Sequence, residues 1–256
     1  MPDLSQRDPL NRFTGLAGLY ARSRPDYPAT AIDFILQHCG LRAGRLLVDI
    51  GSGTGISSRH FASHGLRVIG IEPNADMRRQ AEAEPEYRSL IAYQDGKAEA
   101  TGLPDASADA VLAAQAFHWF AAGEALKEFR RILRPGGWVI VMANERDEGD
   151  PATAAYGAII GGAKEAAAIE QPRRVAAQAL RNSPLVRRAE RRQFPNEQVV
   201  DEEGLLGRAF SASYAPKEPE AVKQFIAALR RVFAEYQIDG RFHLRYVTSV
   251  DVAQLG

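Results

Sequence analysis

One cysteine, Cys39, is the only thiol in this 256-residue chain. It cannot form an internal disulfide, and no metal site can be built from cysteine pairs. Cys39 falls in step with Ile32, Ile35 and Leu36 on an apolar helical stripe, which reads it as a core residue. An excess of charge is lacking too. Lys+Arg and Asp+Glu are equal at 32 each, so no global field draws the chain to nucleic acid or an anionic membrane. Long apolar runs are missing; the longest, such as 138–143, are strand-sized and far short of a bilayer span. The first residues, Met1 to Asp8, hold no apolar signal core, which makes the cytoplasm the expected location. What is present, 45% hydrophobic and 25% charged residues, is the composition of an ordinary soluble domain.

Strand and helix patterns alternate from residue 28 onward. A helix is predicted over 28–39, with Gly40 as its stop. Strands are predicted at 46–50, 67–71, 89–93, 109–114 and 138–143, as continuous apolar runs of the kind buried on both faces. Helices fall between them near 56–64, 74–84 and 121–133, the last ended by Pro135-Gly136-Gly137. This rhythm implies a parallel sheet with helices on both sides, and ligands at the carboxyl ends of its strands. After about 147 the pattern changes. An Ala-rich helical stretch, 151–181, is broken near Pro172, and a basic stretch with a sixth strand near 187–194 follows. Two helices are then predicted around 201–209 and 218–236, the second with Val222, Ile226, Leu229, Phe233 and Tyr236 on one stripe. The alternation through Phe242, Leu244, Tyr246, Thr248 and Val250 closes the chain as a strand, 242–250.

The most informative segment is Leu47-Val48-Asp49-Ile50-Gly51-Ser52-Gly53-Thr54-Gly55. A strand runs into glycines at alternate positions, and a helix follows. Without Cβ atoms such a turn reverses tightly and lets a ligand approach the backbone, while the helix aims N–H groups and its positive dipole end at it. About 20 residues on, Glu72 closes the second strand, where a doubly wound fold puts a carboxylate for ribose hydroxyls. The spacing is not the G-x-G-x-x-G of dinucleotide sites, because Ile56 stands three residues after Gly53. An NAD(P)-dependent oxidoreductase would need that third glycine and a proton-relay pair.

Asp-x-Gly-x-Gly-x-Gly followed by Glu72 resembles motif I of the class I S-adenosylmethionine (SAM)-dependent methyltransferases. The resemblance continues in order over about residues 15–145, through Ile71-Glu72-Pro73-Asn74-Ala75-Asp76-Met77, Gly96-Lys97-Ala98-Glu99-Ala100-Thr101-Gly102-Leu103-Pro104 and Phe129–Gly137. It implies an α/β fold with a Rossmann-like seven-stranded sheet, mostly parallel with the last strand antiparallel. Residues 1–45 would be an N-terminal lid and first helix, and 46–256 a SAM-binding core carrying a helical cap insert at about 196–240. The loop of Gly51, Ser52, Gly53, Thr54 and Gly55 would take the methionine carboxylate of SAM. Glu72 would hold the ribose hydroxyls, beside Pro73, and Met77 would flank the adenine. Ala98 and Glu99 would border the adenine ring. Asp49 either accepts from the methionine ammonium or fixes the loop by an Asx-type hydrogen bond.

On the acceptor side, Ala114-Gln115-Ala116-Phe117-His118-Trp119 is similar to a segment of the small-molecule branch that includes trans-aconitate methyltransferases. In that likeness Gln115 borders the cofactor, while His118 and Trp119 face the acceptor. Tyr20–Pro28 resembles the same branch's N-terminal Tyr-x-x-x-Arg-Pro-x-Tyr-Pro segment, which makes Tyr20 and Arg24 candidates for cofactor or substrate-carboxylate contact. The Asn/Asp-Pro-Pro-aromatic tetrad of several nucleic-acid amine methyltransferases is missing, as is a Pro-Cys nucleophile. The expected reaction is methyl transfer from SAM to a small-molecule acceptor, with an oxygen ahead of nitrogen or carbon, no nucleic-acid partner, and an open oligomeric state. A silent SAM- or RNA-binding protein is the third class to weigh. His118 serves as a general base, a substrate hydrogen-bonder or a pocket wall; a base matters only for a hydroxyl or amine acceptor.

Other features read more plainly. His60 and His64 have helical metal-pair spacing but no third ligand, so they read as a solvated face and no metal is expected. Arg173, Arg174, Arg181, Arg187, Arg188, Arg191 and Arg192, with Glu190 among them and no interleaved aromatics, read as a solvated strand and helix face. Ser211-Ala212-Ser213-Tyr214 lies between the cap helices and could line the acceptor pocket.

Overall fold

The computed structural model describes residues 23–162, 177–212 and 215–256. Tyr20, Pro172, Arg173, Arg174, Ser213 and Tyr214 lie outside these residues. Helix α1 (Ala29–His38) buries Ala31, Ile32 and Ile35 and is stopped by Gly40 at φ 63°. Then come β1 (Leu46–Ile50), α2 (Ile56–Ser63), β2 (Arg67–Ile71), α3 (Ala75–Ala83), β3 (Ile91–Gln94) and β4 (Ala108–Ala114). A 3₁₀ turn at Phe117–Trp119 leads to α4 (Ala122–Ile132) and β5 (Leu133–Arg146). The rest is α5 (Pro151–Gly161), β6 (Val186–Val200), α6 (Glu202–Phe210), α7 (Pro219–Tyr236) and β7 (Phe242–Leu255), with residues 177–181 helical before β6. Polar caps start several helices: Asn74 Oδ1 accepts from Asp76 and Met77 N–H, Asp150 from Thr153 and Asp201 from Gly204.

One seven-stranded sheet has the order β3-β2-β1-β4-β5-β7-β6. Strands β3, β2, β1, β4 and β5 run parallel, and β7 runs antiparallel to both its neighbours, β5 and β6. The chain winds outward from β1 through β2 to β3, then returns to β4 on the other side of β1. The crevice at the carboxyl ends of β1 and β4 is therefore the place for a ligand. Every residue of β4 is buried, which explains an apolar run without alternation at the sheet centre. One face packs α1 and α2 over Leu47, Leu112, Ile140 and Val252; Cys39 is in that core, where burial pushes its thiol up to about 12. The other face packs α4 over Val48, Val111, Val139 and Val141.

Boundaries differ from expectation where strands have long partners. β3 begins two residues later than expected. β5 starts at Leu133, inside the expected helix end, because Gly136 at φ 81° turns the chain without leaving the ladder and Leu133 pairs with Ala108. β6 and β7 pair from Val186↔Leu255 to Val200↔Phe242, whereas β5 leaves β7 at Arg146↔Tyr246. The β6–β7 ribbon therefore outruns the sheet, and the helical insert begins at Asp201 rather than near 196. On that overhang α5, α6 and α7 bury Tyr156, Ile160, Leu205, Ala209, Leu229, Phe242, Leu244 and Tyr246 as a separate core. Each large side chain in it contributes about 1.5–3 kcal/mol of apolar burial. The α7 stripe is half-buried apart from fully buried Leu229, as suits an outer cap helix.

The arginines of β6 do not form a merely solvated face. The guanidinium of Arg188 lies 4.6 Å from the ring centre of Trp138, and that of Arg192 5.2 Å from Phe34. Arg191 donates to Ser249 Oγ (2.8 Å), and Arg181 pairs with the buried Asp251. The fold supplies the aromatics that the local sequence does not interleave.

At the opposite edge from the crevice, Asp109 clasps three strands. Its carboxylate accepts from Arg45 Nη1 (2.8 Å), Leu46 N–H (2.8 Å) and Arg134 Nη1 (2.9 Å). Burial works to raise its pKa, but the Leu46 amide and the two guanidiniums outweigh it and hold it below the ordinary value. Because the folded pKa is depressed, the stabilisation is present at neutral pH and lost as pH falls below about 4. We expect Asp109→Ala to cost about 2 kcal/mol, discounted because both arginines are half-exposed. Thermal unfolding checks this: Tm falls by about 5 °C, and the difference from wild type shrinks in acid.

Candidate functional site

The glycine loop sits at the carboxyl end of β1. Gly51, Gly53 and Gly55 have φ of 68°, 57° and 78°, a left-handed region that side chains disfavour. Gly51 N–H and Ser52 N–H donate to Ile71 O at 2.7 and 3.2 Å, which fastens the loop to the end of β2. Space is tight at two of the glycines. A Cβ on Gly51 would lie 2.6 Å from Ala116 Cβ, and one on Gly55 2.1 Å from Tyr93 Oη. Gly55 is also the N-cap of α2 and supplies no capping side chain, so a ligand can take that role.

Glu72 bridges the loop and α3. Its Oε2 accepts from Gly53 N–H and its Oε1 from Asn74 N–H, both at 2.9 Å. Burial raises its pKa, the two amides lower it, and the net shift is upward. Asp49 is fully buried. Its Oδ2 accepts from Ser57 Oγ and Ser58 Oγ, each at 2.7 Å, so it braces the first turn of α2 rather than closing an Asx turn. Its Oδ1 has no hydrogen-bond partner among the described residues, and neither have the buried Ser52 Oγ and Thr54 Oγ1. Burial pushes Asp49 up to about 6 against the pull of the two serines. The nearby Met77 and Ala98 are buried, and Pro73 is half-buried. Glu99 Oε1 accepts from Ala121 N–H (2.7 Å), tying the loop after β3 to the start of α4.

Gln115 follows β4 at φ 57°, a conformation that costs a non-glycine residue about 1 kcal/mol. Its N–H donates to Met142 O (2.8 Å) and its Nε2 to Asn144 O (3.3 Å). It lines two cavities. One, on the α1 face, is bounded by Arg24, Pro25, Tyr27, Ile56, Asn144 and Arg208. The other, on the α4 face, includes His118, Glu145, Ser249 and Asp251. Arg24, a candidate for cofactor or substrate-carboxylate contact, and His118, expected to face the acceptor, thus stand at different cavities, both lined by Gln115. Trp119 packs on His118 with ring centres 4.8 Å apart. Ser211 is buried between the cap and Arg24, whose Nη2 donates to its carbonyl (3.1 Å).

His60 is not simply solvated, because it pairs with Asp26 and stands edge-on to Tyr27. No group of His, Cys, Asp and Glu that could hold a metal occurs among the described residues. No described helix is long and apolar enough to cross a membrane. Five site residues escaped the sequence reading: Ser57, Ser58, Tyr93, Asn144 and Arg208. The serines directly follow the glycine loop, and Arg208 stands in step with the buried Leu205 and Ala209. A charged residue on an apolar stripe was the available signal. Tyr93 and Asn144 carried none, since only the fold brings them to the crevice.

Residues 48–141 match the family of methyltransferase domains. The matched residues run from β1 into β5 of the seven-stranded sheet. Among relatives, an uncharacterized methyltransferase of Mycobacterium tuberculosis is 39% identical over 145 residues, 56% of either chain. An uncharacterized methyltransferase-like protein of Schizosaccharomyces pombe is 34% identical over 133 residues, 52% of this chain and 51% of its own. The chain spans about half the length of these curated relatives. In fold it is similar to a SAM-dependent methyltransferase of Geobacter sulfurreducens in complex with S-adenosyl-L-homocysteine (TM-score 0.55, 18% identity, 96% of this chain and 98% of that one). It is also similar to the Haemonchus contortus phosphoethanolamine N-methyltransferase 2 (TM-score 0.57, 17% identity, 99% of this chain and 60% of that one).

The loop fits the SAM donor chemically. A buried carboxylate oxygen suits an ammonium, hydroxyls and uncapped amides suit a carboxylate, and Glu72 suits vicinal hydroxyls.

Proposed function

We propose that the protein transfers the methyl group of SAM to a small-molecule acceptor, at an oxygen. The observation that carries this reading is the Gly51–Gly55 turn joined to Glu72, with Asp49 Oδ1 buried beneath it and unsatisfied. In this reading the α2 amides with Ser52 and Thr54 take the methionine carboxylate, and Asp49 Oδ1 takes the ammonium. Glu72 exchanges the Gly53 amide for ribose hydroxyls. Met77, Pro73, Ala98 and Glu99 surround the adenine, and Gln115 borders the donor on the acceptor side. The bound donor supplies an electrophilic methyl group; the protein's own work is to align acceptor and donor in a pocket poor in water. Such alignment alone is worth about 7–11 kcal/mol at best. A carboxylate or phosphonate oxygen is already anionic and needs placement only, whereas a hydroxyl also needs a base. His118, with Trp119 packed beside it, is the residue proposed for that base.

Calorimetric titration with SAM and with NADH tests the donor. Release of S-adenosylhomocysteine over a panel of carboxylates, phosphonates and phenols tests the acceptor. Binding of NADH in place of SAM overturns the reading.

Asp49 makes the donor site sensitive to pH. Its raised pKa means the folded protein holds a proton there that the unfolded chain has lost, so the unliganded protein loses stability as pH rises from about 4 to 6. An ammonium ligand needs the ionised form. The Kd for SAM is therefore expected to be flat above pH 6 and to rise about tenfold per unit below it. Asp49→Asn should remove this slope, which titrations at several pH values will show.

His118→Ala is expected to slow turnover about tenfold or more on a hydroxyl acceptor while SAM affinity changes little. Steady-state assays with parallel SAM titration decide it, and unchanged turnover on the true acceptor would remove His118 from the chemistry.

A further inference from the structure

We infer that the cavity on the α4 face is a hydroxyl subsite, in which Asp251 and Ser249 of β7 hold a neutral hydroxyl of the acceptor between them. This rests on the methyltransferase reading above and narrows its acceptor to a hydroxyl-bearing molecule. Asp251 and Ser249 share one face of β7, opposite Val141 and Ala143 of β5. They are 1% and 3% exposed, and both line the cavity. Asp251 Oδ1 pairs with Arg181, while its Oδ2 has no hydrogen-bond partner among the described residues. A buried acceptor in that state is costly unless a donor reaches it.

Ser249 supplies the complementary half. Its Oγ accepts from Arg191 Nη2 at 2.8 Å and from Gln193 Nε2 at 3.3 Å. A hydroxyl has two acceptor sites and one proton, so with both sites taken the proton is left to donate. The cavity wall therefore offers one acceptor and one donor from neighbouring positions of a single strand face. A hydroxyl satisfies both, because it donates and accepts through the same oxygen. Charge along this wall is balanced. The carboxylate of Asp251 is met by Arg181, and that of Glu145 by Arg191 at 3.6 Å. A further ion would upset that balance where water is thin, whereas a neutral group leaves it intact. The cavity holds about 20 Å³, room for one water-sized group. A whole acceptor does not fit, so only its hydroxyl enters. His118 and Gln115 line the same cavity, and Gln115 borders the donor in the methyltransferase reading. An acceptor anchored on β7 is thereby placed beside both.

The test is NMR titration of the full chain, saturated with S-adenosylhomocysteine, with phenol and separately with cyclohexanol. Shifts are read at the backbone amides of His118, Ser249 and Asp251. The two arms tell an aromatic hydroxyl from an aliphatic one. Benzoate and cyclohexanecarboxylate are the charged controls, and toluene is the apolar one. We expect saturable shifts with at least one hydroxyl probe, and binding weaker by about tenfold or more for its controls. Asp251→Asn should weaken the hydroxyl probe about tenfold and Ser249→Ala about threefold, with S-adenosylhomocysteine affinity within about twofold of wild type. If Asp251→Asn does not fold, Ser249→Ala decides alone. Absence of saturable shifts with both hydroxyl probes, as when a resident water is never displaced, overturns the proposal. Controls that bind as tightly as the hydroxyl probes overturn it too, as does binding that neither variant weakens. Failure of S-adenosylhomocysteine itself to bind counts against the methyltransferase reading instead, so the two failures are distinct.

Discussion

Glu72→Gln is expected to weaken SAM binding about a hundredfold while leaving the fold intact. A carboxylate accepts a hydroxyl bond worth roughly 1.5–3 kcal/mol, about twice a neutral one, because its charge assists. Glutamine keeps one acceptor oxygen and turns an amide donor toward the second hydroxyl, so about 3 kcal/mol is lost, close to two factors of ten. Stability should move by less than about 1 kcal/mol. The buried charge that raises the Glu72 pKa is removed, while Gln Oε1 still reaches one of the Gly53 and Asn74 amides. Calorimetry and Tm measured on the same sample separate the two effects. A SAM affinity within threefold of wild type in a folded variant would show that this carboxylate does not hold the ribose.

Gly55→Ala is the second large effect. A Cβ there meets Tyr93 Oη at 2.1 Å, Tyr93 Cζ at 3.0 Å and Arg59 Nη1 at 3.2 Å. The ring cannot retreat easily, because it lies across Gly70, where a Cβ would be 2.4 Å from Tyr93 Cδ1. Overpacking of this kind costs about 1–3 kcal/mol, and the left-handed φ of 78° adds about 1 kcal/mol. Gly53→Ala is the internal control: its φ is 57° but nothing lies within 4 Å of the added atom. We expect about 3 kcal/mol for Gly55→Ala against about 1 kcal/mol for Gly53→Ala in denaturant unfolding. Tyr93→Phe in the Gly55→Ala background should recover part of the difference. Equal costs at the two glycines would mean that the tyrosine does not press on the loop.

Much of this arrangement was legible in the chain because it is local. The alternate glycines, the strand before them and Glu72 at the end of the next strand are adjacent in sequence and carry their backbone requirement openly. The same holds for β1, β2 and β4, whose apolar runs end where the sheet ends. Long-range partnership was not legible. β6 and β7 extend beyond their expected limits because each is the other's partner, and a strand's length is set by what lies beside it. That Arg24 and His118 stand at different cavities was not legible either, because β5 alternates its side chains between the two sheet faces and so divides them. Arg208 went unnoticed for a related reason: a helix pattern shows that a position faces inward, without saying what it meets there.

The seating of Arg188 and Arg192 over aromatic rings has a consequence for the outermost strand. Among the described residues β6, fifteen residues long, is the last strand of the sheet and has a strand partner on one side only, a length that invites strand-to-strand self-association. Pro195 removes one donor from that margin, the bulge between Val186 and Arg188 bends another stretch, and Arg188 and Arg192 set positive charge along the strand. Charge, a proline and a bulge along an outermost strand are the means by which such a border is kept from templating fibres.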